Sequence, residues 1–304
     1  MQTTTPIPES AAIGEASIDR SPRLVDFYEL TKPRMNFLVL ITTVVGLYMA
    51  TSDSLNWPLL LHTMLGTSLC AASAAVLNQF MERRFDALMR RTRNRPLPAR
   101  RISPAEALAI GFVLGIVGVT YLSILVNGLT AALGAFTILS YLLIYTPLKR
   151  VTTLNTVVGA IPGAIPPVMG WTAVHNALTL EAWALFGILF MWQMPHFLAI
   201  AILYKEDYEA GGFKMLPSAD SDLHLTSFMI VLYSVALIPV SLLPVVLHIS
   251  GVWYMGAAML LGVLFLAAGV GCALGRKRVD ARRLFFASII YLPLLLAFMM
   301  IDKR

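Results

Sequence analysis

Asn78, Glu82 and Asp86 stand four residues apart in Leu77-Asn-Gln-Phe-Met-Glu-Arg-Arg-Phe-Asp86, where an apolar stretch long enough to cross a bilayer gives way to an arginine-rich loop. On a helix, steps of four keep side chains near one face, so three oxygen donors would line a single stripe at the membrane surface. Hard divalent cations such as Mg2+ are held in this way, by one or two carboxylates with phosphate oxygens completing the shell. The same spacing also occurs where an exposed helix end simply carries acids. The loop that follows, Ala87 to Ser103, is densely cationic and punctuated by Pro96 and Pro98. An anchor for anionic lipid would account for some of these arginines. Carboxylates beside arginines that can fork onto phosphate oxygens also make up a diphosphate site.

Such a stripe has to be positioned by membrane helices. The chain has 304 residues, 58% apolar and 13% charged, with a mean hydropathy of +0.74. That composition excludes a soluble globular domain. Crossing about 30 Å of hydrocarbon takes roughly twenty apolar residues. Nine runs qualify: 36 to 52, 57 to 78, 105 to 126, 129 to 147, 154 to 173, 180 to 203, 225 to 248, 252 to 274 and 284 to 301. None alternates as barrel strands would, so all nine are expected to be helices. Residues 1–22 are polar and lack both a signal core and transit-peptide character, and read as a disordered cytoplasmic tail. Residues 23–304 read as one intramembrane domain.

The net charge of +6 could suggest nucleic acid, but the basic residues sort by membrane side. With the N-terminus inside, every Lys and Arg except Lys303 and Arg304 falls on the inner side. The positive-inside rule then predicts a cytoplasmic N-terminus and a periplasmic C-terminus, in a bacterial inner membrane, with no nucleic-acid role. Cys70 and Cys272 lie within apolar spans and read as small buried hydrophobes.

Polar chemistry concentrates on the inner side. The fourth span ends in Tyr145-Thr-Pro-Leu-Lys-Arg150, level with Asp86; Lys149 and Arg150 could be ordinary stop-transfer charges or phosphate contacts. The fifth span carries Pro162-Gly-Ala-Ile-Pro-Pro167 and Gly170-Trp171, which predicts a kinked or thinned helix lining an internal pocket. The sixth contains Trp192-Gln-Met-Pro-His-Phe197. Gln193 and His196 are therefore intramembrane polar groups, functional by default, although a histidine bonded to a neighbouring helix is the plain alternative. Lys205, Glu206 and Asp207 form a second acidic and basic cluster on the inner side, able to share metal and diphosphate with the first.

These strings together, with Arg91-Thr-Arg-Asn-Arg-Pro-Leu-Pro98, closely resemble the protoheme IX farnesyltransferase (heme O synthase) branch of the UbiA superfamily of intramembrane prenyltransferases. The resemblance runs from about Leu30 to the end of the ninth span. It implies an all-α polytopic fold of nine transmembrane helices around a central cavity. It also implies transfer of the farnesyl group of farnesyl diphosphate to the 2-vinyl group of heme b, with addition of water, giving heme O. Carried over by motif, Mg2+ would be held by Asn78, Glu82, Asp86 and Asp207, the catalytic set being these with Lys149. Diphosphate would meet Arg34 (in Thr31-Lys-Pro-Arg34), Arg90, Arg93, Lys149, Arg150 and Lys205.

Farnesyl and porphyrin would occupy a cavity lined by aromatic and small residues of spans four to six. His196 would lie near heme as an iron ligand or hydrogen-bond partner, supported by Gln193 and Tyr145. Heme b is then a substrate rather than a cofactor. Membrane lipid is a further partner, with heme A synthase or terminal oxidase assembly downstream. The chain departs from the wider superfamily in two places: Glu82 stands where an aspartate is common, and the second acidic motif is reduced to Tyr204-Lys-Glu-Asp-Tyr208. A sister prenyltransferase acting on a quinone precursor or chlorin is the nearest alternative reading. An anion transporter is more remote, because its site should lie near the midplane.

Overall fold

The structure, a computed structural model, describes residues 23–52 and 54–304. The tail expected over residues 1–22 lies outside the described residues. In chain order the helices are α1 (Arg23–Leu30), α2 (Pro33–Ala50), α3 (Trp57–Asp86), α4 (Pro104–Leu125), α5 (Gly128–Leu139), a π-helical segment Ser140–Tyr145, α6 (Thr146–Leu148), α7 (Asn155–His175), α8 (Leu180–Leu203), α9 (Lys205–Ala210), α10 (Leu216–Ala219), α11 (His224–Val246), α12 (Val252–Gly275) and α13 (Arg278–Ile301). Among the described residues nine helical stretches are long and apolar enough to cross a membrane: α2, α3, α4, the stretch Gly128–Leu148, α7, α8, α11, α12 and α13. Cys70 and Cys272 are buried and free.

Several helix starts have local causes. Asn56 accepts from Leu59 N at 3.0 Å, with Pro58 in the first turn of α3. Ser103 and Glu106 form a reciprocal capping box at α4, behind Pro104. Asn127 accepts from Thr130 N at 2.8 Å to start α5, and its amide donates to Thr172 O on α7 at 2.8 Å. That one side chain therefore both caps a helix and fixes its neighbour.

Two elements matter most for the site. The second span does not stop at residue 78: α3 has 30 residues, about 45 Å of helix. Beyond the ~30 Å of hydrocarbon it carries a rigid extension of about 15 Å, and Glu82 and Asp86 stand on it. The fifth span, read as a kinked or thinned helix, is α7, a single continuous helix that carries Pro162, Pro166 and Pro167 within it. It is also the most enclosed span, with 72% of its most apolar stretch buried against 17% for α4. It packs on α2, α3, α5 and α8. A methyl group at Gly46 would overlap the Pro167 carbonyl, and one at Gly170 the Thr43 carbonyl. Thus α2 and α7 meet backbone on backbone, the close approach that small residues permit in membranes.

At the far end of the bundle the last residues close on the first span. Lys303 Nζ donates to Tyr48 O and Thr51 O and sits 4.4 Å over the Tyr48 ring. Asp302 accepts from Tyr254 N at 2.7 Å, capping the start of α12.

Candidate prenyl diphosphate site

The stripe on α3 is real and buried: Asn78, Glu82 and Asp86 are 1%, 5% and 1% exposed. Each oxygen donor is met by a cation from a different element. Lys32 Nζ donates to Asn78 Oδ1 at 3.1 Å, Lys149 Nζ to Glu82 Oε1 at 2.8 Å and Oε2 at 3.1 Å, and Arg95 Nη1 to Asp86 Oδ2 at 2.9 Å. The Asn78 amide donates in turn to Thr146 Oγ1 at 3.1 Å, which fixes its oxygen toward Lys32. Two carboxylates facing three cations leave an excess of positive charge, and Lys32 is the cation whose partner here is a neutral amide. A buried, net-positive cluster is matched to an anion.

Local structure explains how the cations arrive. Lys32 is the N-cap of α2, with φ 50 and ψ 59, and Pro33 starts the helix behind it. The left-handed turn sends Lys32 inward, while Arg34, two residues on, is exposed. So of the two basic residues in Thr31-Lys-Pro-Arg34 the structure brings Lys32, rather than the expected Arg34, to the stripe. Burial, then Arg95 and Lys149 nearby, push the Lys32 ammonium down to about 7. Lys149 follows the π-helical segment and the short α6, in which Pro147 has no N–H to return to the helical ladder. Burial opposes its charge, but Tyr145 and Glu82 outweigh burial and hold it above the ordinary lysine value. Its ammonium lies 4.6 Å over the Tyr145 ring. Arg95 comes from the loop, which wraps rather than dangles: Thr92 Oγ1 donates to Asp86 O at 2.8 Å, Pro96 and Leu97 are buried, and Arg101 pairs with Asp26 of α1 at 2.6 Å. Sequence spacing gave no signal for Arg95, because only the loop's path selects it from the loop's six arginines.

The other expected contacts divide. Asp207 Oδ1 accepts from the backbone N–H of Arg90 at 3.2 Å, joining the second acidic cluster to the loop after α3. Arg90, Lys205, Glu206 and Asp207 line a pocket of about 380 Å3, with Arg278 of α13 at its rim. Arg150 stacks over Phe85 at 4.0 Å, and Phe85 packs edge-on against Phe213. The Lys214 N–H donates to Lys149 O at 2.7 Å, so the segment after α9 folds across the first cluster. Arg93 is exposed. Of the intramembrane candidates, Tyr145 fills the space left by Gly159 of α7, and Gln193 presses into Gly163 while donating to Leu189 O at 3.1 Å. His196 faces α13, with Nδ1 2.7 Å from Ser288 Oγ.

The chemistry of this donor set suits Mg2+. From Asn78 to Asp86 is eight residues, about 12 Å of helix, so the three oxygens cannot converge on one ion. Neighbours in the stripe can share one, with phosphate oxygens completing an octahedral shell. Among the described residues no group of three or more His, Cys, Asp or Glu side chains forms a self-sufficient metal site.

A family model described as the UbiA prenyltransferase family matches residues 39–290. The chain belongs to this family. Its relatives include the protoheme IX farnesyltransferase of Solibacter usitatus (strain Ellin6076), 48% identical over 287 residues, covering 91% of this chain and 98% of that protein. Among solved structures, a digeranylgeranylglyceryl phosphate synthase matches this UbiA chain with a TM-score of 0.77 at 18% identity, over 93% of this chain and 99% of the other. A UbiA homolog from Archaeoglobus fulgidus bound to GPP and Mg2+ matches with a TM-score of 0.66 at 13% identity, over 90% and 99%. The helical membrane fold of the UbiA prenyltransferases is thereby shared.

Proposed function

We propose that this UbiA prenyltransferase transfers the farnesyl group of farnesyl diphosphate to the 2-vinyl group of heme b, with addition of water, releasing heme O and diphosphate. The observation that carries the acceptor is the near full-length similarity to a protoheme IX farnesyltransferase. The prenyl donor is supported by the buried stripe and its cations.

In the reaction the C1–O bond of the farnesyl diphosphate breaks and its electron pair leaves with the diphosphate. Lys32, Lys149 and Arg95 move from the stripe oxygens to the departing phosphate oxygens, so the developing charge is met by groups already desolvated in place. Mg2+, held by Glu82 and Asp86 with Asn78 and Asp207 as further donors, would add Lewis-acid neutralisation of the same charge. Arg90, Arg150 and Lys205 supply the outer ring of phosphate contacts. C1 of the farnesyl chain bonds to the terminal vinyl carbon, the carbon next to the porphyrin ring takes a water oxygen, and one proton is released. Exclusion of bulk water by the apolar bundle keeps the allylic cation from being hydrolysed first.

Residues 23–304 act as a single catalytic domain in a bacterial inner membrane, with the stripe at the cytoplasmic surface and Lys303 at the periplasmic one. The product would pass to heme A synthase or to terminal oxidase assembly. The test is purified protein incubated with heme b, farnesyl diphosphate and Mg2+, with and without chelator, the porphyrins being read by mass spectrometry. A chelator-sensitive farnesylated and hydrated heme is expected. Unchanged heme alongside alkylation of a quinone precursor or chlorin would overturn the assignment of the acceptor.

A further inference from the structure

Asn155 is the first residue of α7 and is fully buried, yet it does not cap that helix. An asparagine that caps a helix accepts, through its side-chain oxygen, from N–H groups of the first turn. Among the described residues Asn155 Oδ1 accepts from nothing. Its Nδ2 instead donates to Thr152 O at 2.6 Å and to Lys214 O at 2.7 Å. Both partners are carbonyls, which only accept, so the amide nitrogen must face them. Leaving the oxygen unpaired in the interior costs free energy, so the side chain is placed for its two donations. One of these is local. The other joins residues 59 apart in the chain and reaches the segment between α9 and α10.

That segment, residues 211–215, is a strap with few ties to the rest of the molecule. Lys214 gives both of its main-chain groups to other segments, the N–H to Lys149 O at 2.7 Å and the carbonyl to Asn155. Among the described residues the strap's other backbone hydrogen bonds stay within residues 207–219. Phe213, one residue before Lys214, is 5% exposed and lies edge-on to Phe85 of α3 and to Tyr208 of α9. Its ring centre is 5.8 Å from the Lys149 ammonium, which is itself bidentate on Glu82. The strap therefore roofs that ion pair. Gly212, with φ 70 and open space where a side chain would stand, is the joint at which the chain turns over the cluster.

On the reading above, in which farnesyl diphosphate ionises at this cluster, we propose that Asn155 is a positioning residue whose two hydrogen bonds hold the strap closed over Lys149 and Glu82, and that this closure keeps water from the allylic cation. With the strap down, the C1–O bond breaks, its electron pair leaves with the diphosphate, and C1 bonds to the acceptor carbon. With the strap lifted, a water oxygen bonds to C1 instead and loses a proton, so that farnesyl diphosphate and water give farnesol, diphosphate and one proton. The diphosphate departs in both cases, since Lys32 and Arg95 reach it from other elements. Asn155 thus governs where the farnesyl group goes rather than how fast diphosphate leaves.

The test uses full-length purified protein and its Asn155→Ala, Asn155→Asp and Thr156→Val variants, with heme b, farnesyl diphosphate and Mg2+. Diphosphate released is counted against farnesylated heme and free farnesol, and hydrogen–deuterium exchange of the Lys214 amide reports on the strap. Wild type should give equal amounts of diphosphate and farnesylated heme. Asn155→Ala loses both hydrogen bonds, which should speed Lys214 exchange at least about tenfold and make farnesol at the expense of farnesylated heme while diphosphate release continues. Asn155→Asp, of the same size but without the amide donors, should do the same. Thr156→Val removes only a buried hydroxyl that has no partner and should match wild type. Equal diphosphate and farnesylated heme in a monodisperse Asn155→Ala protein, or farnesol from Thr156→Val as well, overturns the clamp. So does a wild-type Lys214 amide that exchanges as fast as unbonded chain, a measurement that needs no variant. Heme farnesylation by wild type in those cases leaves the proposed reaction standing. A wild type that alkylates another acceptor without farnesol, beside an Asn155→Ala that yields farnesol, supports the clamp and overturns only the acceptor.

Discussion

A carboxylate that is 1% exposed, as in Asp86, is stable in a bundle only while its charge is compensated, here by Arg95 at 2.9 Å. The Arg95 side chain is 26% exposed, so removing the acid leaves a guanidinium that solvent can still reach. Asp86→Ala should therefore cost little in thermal stability, about 1–3 kcal/mol, while abolishing turnover because a metal ligand is gone. Near wild-type activity in a folded Asp86→Ala protein would refute the site. Lys32 makes a second, pH-dependent case. With its ammonium pushed down to about 7, the free enzyme loses that charge as pH rises through 7. Below 7 Lys32 is charged and can meet diphosphate; above it, kcat/KM for farnesyl diphosphate should fall about tenfold per pH unit until another group limits. Lys32→Arg keeps the charge and should remove that limb of the profile, read by initial rates from pH 6 to 9.

At the level of helices, the nine spans were legible because lipid allows so little else: a long apolar run must satisfy its own backbone, and helix is the only local solution. The acidic stripe was legible for the same kind of reason, through its period of four. What the sequence could not disclose lies in its connections. The choice of Lys32 over Arg34 depends on a left-handed N-cap, and the entry of Lys149 on a π turn before Pro147. The pairing of Arg95 with Asp86 depends on a folded loop. Periodicity carries none of that information. The continuity of α7 through three prolines also escaped it, because neighbouring helices rather than local propensity hold that helix together. The α2–α7 contact sets a further expectation. Gly170→Leu would drive a side chain into the Thr43 backbone, so it should cost at least about 3 kcal/mol and appear as loss of monodisperse protein on size exclusion, unlike Gly256→Leu, whose site is open.

For the molecule as a whole, the distribution of charge is the main organising fact. The basic residues of the loop after α3, of α6 to α7 and of the α12–α13 turn belong to one end of the bundle, and Lys303 and Arg304 to the other. Trypsin should therefore cut at exposed Arg91, Arg93 and Arg100 in inside-out vesicles and spare them in right-side-out ones. The reverse pattern would invert the orientation proposed here and place the diphosphate site on the wrong side for a cytoplasmic substrate.

The backbone contact of Gly46 with Pro167 is the point about which a tilt of α2 would turn. Lys32 lies fourteen residues away at the foot of the same helix, an arm of about 21 Å. A tilt of only about 3° about that pivot would carry the ammonium roughly 1 Å from Asn78, a displacement large enough to slow catalysis about a hundredfold. A methyl group at Gly46 meets the Pro167 backbone, so Gly46→Ala should lower thermal stability and, through the displaced Lys32, turnover together.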